Sequence, residues 1–421
     1  MVHSHSRAPG MGVAQQSQHR RAMRVMVVVL VPLPIWILVG MIVLWPGDAS
    51  EHITEDSAGY TVSGVTFPRA KITRITEMSC EGLAGSTPDA DSRTCATVTA
   101  HLLEGAEQGQ SVEVTLTAPL YSSGTRVGQT VQLVRLPSEA GTAQYQFSDF
   151  ERRLPMAVVA LLFAAAVVGV ARLRGLVSLL GLGFAGFILV KFMFPALISG
   201  SNPTAVGLVG SSAIMFVVLY TTHGFSARTT TALLGTLFGL ILIAGLGYVA
   251  TRWAHLTGIA AEDDYVLAAT APDMRLTAVV ICGITVAGLG VLNDVTITQA
   301  SAVWELADAD PDRRRLFSAA MRIGRDHIAS TVYTIAFATV GASLSIMLLV
   351  AIYERPLLQV VHVEPFASEI LRTLVGSIGL VLAVPVTTAL GVAVVKASGK
   401  QTRQRRRSSE DFLDDNARTP G

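Results

Sequence analysis

Long apolar runs separated by short polar connections set the pattern of this chain. They fall at residues 25–45, 154–171, 175–198, 204–222, 231–251, 276–294, 328–352 and 369–395. A helix rises about 1.5 Å per residue, so about 20 apolar residues cross a hydrocarbon core of about 30 Å. The runs therefore predict a membrane bundle of about eight transmembrane helices. The first run is longer than the apolar core of a signal peptide and reads as an uncleaved anchor, kinked by Pro32 and Pro34. Between the first two runs the period changes. Ala96, Val98, Ala100 and Leu102 alternate with polar residues, as do Val112, Val114 and Leu116, and Gly124, Gly128 and Gly141 mark turns. That pattern predicts a small all-β domain, either a partly open barrel of OB type or a sandwich. The expected organisation is a tail at 1–24, a first helix at 25–45, a β domain at 46–153, a seven-helix membrane domain at 154–396 and a disordered tail at 397–421.

Charge placement orients these elements. Arg7, Arg20, Arg21 and Arg24 precede the first run, and Arg172, Arg174, Arg228, Arg313, Arg314, Arg315, Arg322, Arg325 and the KQTRQRRR tail lie in alternate connections. The positive-inside rule then puts both termini in the cytoplasm and residues 46–153 outside it. The acidic connections with Glu262, Asp263 and Asp264, and with Glu354 and Glu364, fall outside as well. Hydrophobic residues make up 51% of the 421 and charged residues 15%, which excludes a single soluble core. The net charge of +1 hides this segregation. Of three cysteines, Cys80 and Cys95 share the β domain, where an oxidising compartment favours a disulfide. A zinc site there would need more ligands than nearby His101. The glycines cluster in the spans, and Gly235 with Gly239 forms a GxxxG pair of the kind that lets helices approach closely. Lys191 and His223 lie at span ends, where a polar side chain reaches the interface, and take no expected role.

The polar chemistry concentrates around residues 288–334, with a cytoplasmic polar segment at 295–328. The run from Leu276 continues past Asn293 and Asp294, and at 100° per residue Thr298, Ser301, Glu305 and Asp308 all fall within about 40° of Asp294. A second polar face precedes the next run: Arg322, Ser330 and Tyr333 lie within about 40° of Asp326. Ionisable groups at a bilayer margin usually face a bundle interior or a wet cavity. Two readings follow. Arg322 and Arg325 neutralise Asp294 or Glu305 across the interface, or Asp294 simply ends its span and the arginines reach lipid headgroups. Gly288 and Gly290 suggest a local unwinding just before Asn293, as in carriers with broken helices. Glu305, Asp308, Asp310 and Asp312 are equally a solvated acidic helix end, and no metal site is expected.

The segments GVLNDVTITQASAVWEL and RRLFSAAMRIGRDHIASTVYT resemble the YibE/F family of bacterial polytopic membrane proteins. The resemblance extends to the amino-terminal anchor, the GTRVGQTVQLVR strand of the β domain and FERRLPMAVVALLFAAAVVGVARLRGL. It implies that Asp294, Glu305, Gly324, Arg325, Asp326 and Thr334 occupy the family's motif positions, and it implies a place in the bacterial plasma membrane. It implies no particular chemistry.

Three classes of function compete. A secondary transporter or permease would pass an ion or small polar solute along Asn293, Asp294, Thr298, Ser301, Glu305, Arg322, Arg325, Asp326, Ser330, Tyr333 and Thr334, with no cofactor. The alternative is a non-transporting scaffold whose β domain binds an envelope protein. An enzyme is not expected, because HExxH, GxSxG and paired aspartate signatures are lacking. Lipid is the expected surrounding, a homo-oligomer is compatible with the small-residue faces, and nucleic acid is not an expected partner.

Overall fold

The computed structural model describes the backbone of residues 31–54, 65–80, 94–137, 143–309, 315–352 and 356–417, and the side chains among these up to 396, Leu357 excepted. The chain divides into two units: Thr54–Arg172, and Met1–Ile53 with Leu173–Gly421.

The first unit holds an antiparallel sheet of five strands: β1 (Arg69–Ser79), β2 (Thr94–Leu102), β3 (Ser111–Leu116), β4 (Thr130–Leu136) and β5 (Gln144–Phe150). Their order is β3-β2-β1-β4-β5, and the short helix α2 (Ala118–Ser122) links β3 to β4. The edge strands β3 and β5 approach each other, so the sheet curls toward closure. Alternation explains the interior. Ala96, Val98, Ala100 and Leu102 are all buried, and pack with Ile72, Val114, Leu116, Val131 and Leu133. Cys80 and Cys95 are disulfide-bonded across the β1–β2 pair. A bulge between Ile72 and Arg74 shifts the register of that pair.

One polar cluster ties β4 and β5 to the connection between β2 and β3. Arg135 on β4 donates two hydrogen bonds to Glu107, at 2.8 and 2.7 Å, and the Tyr145 hydroxyl donates a third. These donors, Arg135 first, hold the Glu107 carboxyl down at about 2, against an ordinary 4.5. Depression of a folded-state value means the contribution is complete above pH ~4.5 and is lost as pH falls through about 2. The β unit should therefore lose stability across that acid window, and Glu107→Gln should remove most of the dependence. Tyrosine near-ultraviolet circular dichroism followed over the same range checks this, and identical acid profiles for both proteins would exclude Glu107 as the cause.

Helix α3 (Arg153–Ile188) begins in the first unit and ends in the second. Its apolar residues are exposed, Leu154 at 75% and Val170 at 88% among them, a surface that water solvates poorly. With a π-helical turn (Leu189–Met193) and α4 (Phe194–Ile198) it forms a 46-residue apolar stretch. The two spans expected at 154–171 and 175–198 are separate helical segments that meet at Arg172, whose backbone leaves the helical region at φ 52, ψ −130. A positive φ is costly for a residue with a Cβ, so Arg172 marks a true interruption.

The second unit also holds α1 (Pro32–Val43), a 3₁₀ turn (Ala49–His52), α5 (Pro203–His223), α6 (Ala227–Trp253), α7 (Glu262–Thr270), α8 (Leu276–Ala309), α9 (Leu316–Ala342), α10 (Leu344–Ile352), α11 (Leu357–Val360) and α12 (Glu364–Ala417). Among the described residues five helices are long and apolar enough to cross a membrane, or six if α9 and α10, bent by 64°, count as one span. This is fewer than the eight runs suggested. The Arg153–Ile198 stretch is counted once although it holds two helices that meet at Arg172, and only 12 residues of the first run are a described helix.

Helices α5, α6, α8 and α12 form the core. Leu240, Ile243, Ile284 and Leu292 are completely buried there. Close approach is purchased with small residues: a Cβ on Gly239 would stand 2.5 Å from Leu292, and one on Gly324 would stand 2.7 Å from Val384. Buried hydroxyls return to their own helices. Thr236, Thr285, Thr296, Thr387 and Thr388 each donate to the carbonyl four residues earlier. The expected unwinding near Gly288 is absent, and α8 runs through it without a break.

Candidate functional site

Helix α8 carries two polar lines on opposite sides. Asp294, Thr298 and Glu305 lie on its exposed side with Asp308, and Ser301 is half-buried with its hydroxyl donating to Ile297. Thr296 and Gln299 lie on the buried side. Thr296 meets Thr236 of α6 at 2.6 Å, and the Gln299 amide donates to the Ala320 carbonyl at 3.0 Å and to Thr388 at 2.7 Å. Gln299 thus joins α8 to both α9 and α12. The Ala320 carbonyl lies in the second turn of α9, so the amide is a second donor to it where the two helices pack. Sequence reading missed this second line, although Thr285, Thr296 and Gln299 share a face at helical spacing on the side away from Asp294.

Asp294 meets a residue that the polar pattern did not single out. Its Oδ2 lies 3.7 Å from Nε2 of His327 on α9. The Asp294 side chain is 70% exposed and that of His327 31%. The Nε2 atom of His327 is itself buried and has no hydrogen-bond partner, and the same holds for Oδ1 of the adjacent Asn293. Asp294 stands 18 residues beyond Leu276 in α8, about 27 Å along its axis. That length nearly spans a hydrocarbon core. At 3.7 Å the two groups are within ion-pair range and beyond a hydrogen bond.

The other predicted residues are placed differently. Arg322, Arg325, Asp326, Ser330, Tyr333 and Thr334 lie on the exposed side of α9. Among the described residues neither Arg322 nor Arg325 forms an ion pair with Asp294 or Glu305. The reason is rotational: contact with α8 and α12 is made through Gly324 and Ala320, which turns the arginines outward. Thr334 donates to the Ser330 carbonyl, so its hydroxyl is already engaged. Asp310 and Asp312 lie outside the described residues. Among the described residues no three His, Cys, Asp or Glu side chains come together as a metal would require.

Long apolar helices packed through glycine and threonine, one carrying a carboxylate beside an imidazole, define a polytopic helical membrane protein. The family model described as YibE/F-like protein matches residues 159–397, and the chain belongs to that family. The match contains α8, α9 and every candidate residue above, while α1 and the five strands lie before it. No curated protein matches the chain. No solved structure matches it either.

Proposed function

We propose that this chain is a secondary carrier of the bacterial plasma membrane, in which Asp294 and His327 handle a coupling proton for an ion or small polar solute. The observation that carries the reading is the approach of the Asp294 carboxylate to a buried imidazole nitrogen that has no other partner. A buried acceptor or donor without a partner costs about 1 to 3 kcal/mol, and protonation of either member would relieve it by forming a charge-assisted hydrogen bond. The exposed residues of α8 and α9, from Thr298 to Arg325, supply a polar path beside the pair. In the same reading the chain crosses the membrane about eight times, seven of them in the 154–396 domain, with both termini cytoplasmic, and the five strands are a barrel of OB type outside.

Reconstituted protein in liposomes loaded with a pH-sensitive dye tests the reading. Wild type is expected to couple proton movement to at least one of a panel of ions and polar solutes. His327→Gln should reduce that rate at least tenfold. Liposomes with wild-type protein that behave like empty ones across the panel would instead favour a scaffold acting through the β domain.

A further inference from the structure

The far end of the bundle holds a second polar feature. The loop before α5, the end of α6 and the start of α8 surround a cleft of about 950 Å³. Its lining includes Thr251, Arg252, His255, Asp273, Arg275 and Thr277. Asp273 is occupied, since its Oδ2 accepts from His52 at 2.8 Å. Neither arginine has an ion pair among the described residues, and Arg252 only lies over the Tyr248 ring at 5.2 Å. The cleft therefore carries two guanidinium groups against one carboxylate, none of them ion-paired to each other among the described residues.

Two further features point to a bound group. Helix α5 begins at this cleft with its first amides already taken, because Asn202 accepts from Thr204 and Ala205. Helix α8, 34 residues long, begins here with no side-chain cap on Leu276 or Thr277 among the described residues. The Ala278 amide already donates to the Arg275 carbonyl at 2.7 Å, which leaves the Leu276 and Thr277 amides and the helix dipole to favour an anion. Thr251 is the second observation. It is 1% exposed, lines the cleft, and its hydroxyl has no partner, whereas the other buried threonines of α6, α8 and α12 named above donate back to their own helices. A buried hydroxyl left unpaired is unfavourable unless a ligand or water completes it.

We propose that this cleft binds an oxyanion, a carboxylate or phosphate group, through Arg252, Arg275, the Thr251 hydroxyl and the first amides of α8. The guanidinium fork matches both group types. At about 950 Å³ the cleft has room for an oxyanion carried on a larger molecule as well as for a free inorganic ion. Both a soluble metabolite and a lipid headgroup present this chemistry. The inference is independent of proton handling at Asp294, which lies 18 residues further along α8.

Full-length protein in neutral detergent is titrated with inorganic phosphate, citrate and, as a neutral control, sucrose, by calorimetry and thermal shift. A second arm compares nanodiscs of phosphatidylcholine with ones containing phosphatidylglycerol. Saturable stabilisation by phosphate or citrate but not sucrose is expected, with Kd raised at least about tenfold in Arg275→Gln and about threefold in Thr251→Val. Arg74→Gln, an exposed change in β1, should leave Kd unchanged. Where Arg275→Gln does not accumulate, Arg275→Lys replaces it and should weaken binding less. A response confined to phosphatidylglycerol nanodiscs and lost in Arg275→Gln assigns the oxyanion to lipid. No saturable response in either arm, or equal responses in wild type and Arg275→Gln, overturns the site.

Discussion

Asp294→Asn is expected to abolish coupled proton movement, by at least a hundredfold in rate, while the protein still accumulates in the membrane and melts within a few degrees of wild type. The change is nearly isosteric and falls on a side chain that is 70% exposed, so little packing is lost. What disappears is the only carboxylate within reach of His327 among the described residues. The neighbouring imidazole then has no ionisable partner, and an amide cannot accept a proton near neutral pH. Proton flux in liposomes and melting in detergent, measured on the same preparations, separate function from folding. Unchanged flux in a well-folded variant would remove Asp294 from the mechanism. A collapse of stability along with flux would mean that the Asp294–His327 approach is structural.

Gly324→Leu is expected to produce the largest loss of stability, about 2 to 4 kcal/mol, and to disable the same site from a distance. A Cβ at this position would stand 2.7 Å from Val384 Cγ1 and 2.9 Å from Gln299 Oε1. Overpacking of a tight core costs about 1 to 3 kcal/mol and sometimes more, and here it also threatens the Gln299 bonds to Ala320 and Thr388. Removing a glycine from a helix returns up to about 1 kcal/mol of propensity, too little to offset the clash. The consequence for function follows from position. Gly324 lies one turn before His327 on α9, so a displaced α9 moves the imidazole away from Asp294. Gly324→Ala should show the same effects in milder form. Melting of purified wild type, Gly324→Ala and Gly324→Leu gives the series, and a leucine variant as stable as wild type would show that α9 is not seated on α8 and α12 as described.

The sequence was most informative where one period dominates. Alternation through Ala96–Leu102 identified the buried side of β2, because strand side chains have only two directions and one was uniformly apolar. The pairing of Cys80 with Cys95 was likewise within reach, since both were confined to one short extracytoplasmic segment in the sequence reading. The apolar runs located the long helices, although a run of residues does not show whether two helices join through a backbone break such as Arg172.

For the candidate site the same logic reached half-way. A 100° period shows that Asp294, Thr298 and Glu305 share a side of α8, and they do. It does not show which side faces the neighbouring helices. That depends on where α6, α9 and α12 come close enough to touch, which glycines at 239 and 324 and the Gln299 amide decide. The rotation turns Arg322 and Arg325 outward and brings His327, an unremarked residue directly after Asp326, to Asp294. The cleft at the start of α8 was beyond the sequence altogether, because Thr251, Arg252 and Arg275 come from separate segments that only folding assembles. The sequence by itself determined the apolar lengths, the strand alternation and the polar stripes, all of them properties of one segment at a time. Only the tertiary structure decided the partners, because a contact is a relation between segments and its energy depends on how closely their backbones can approach.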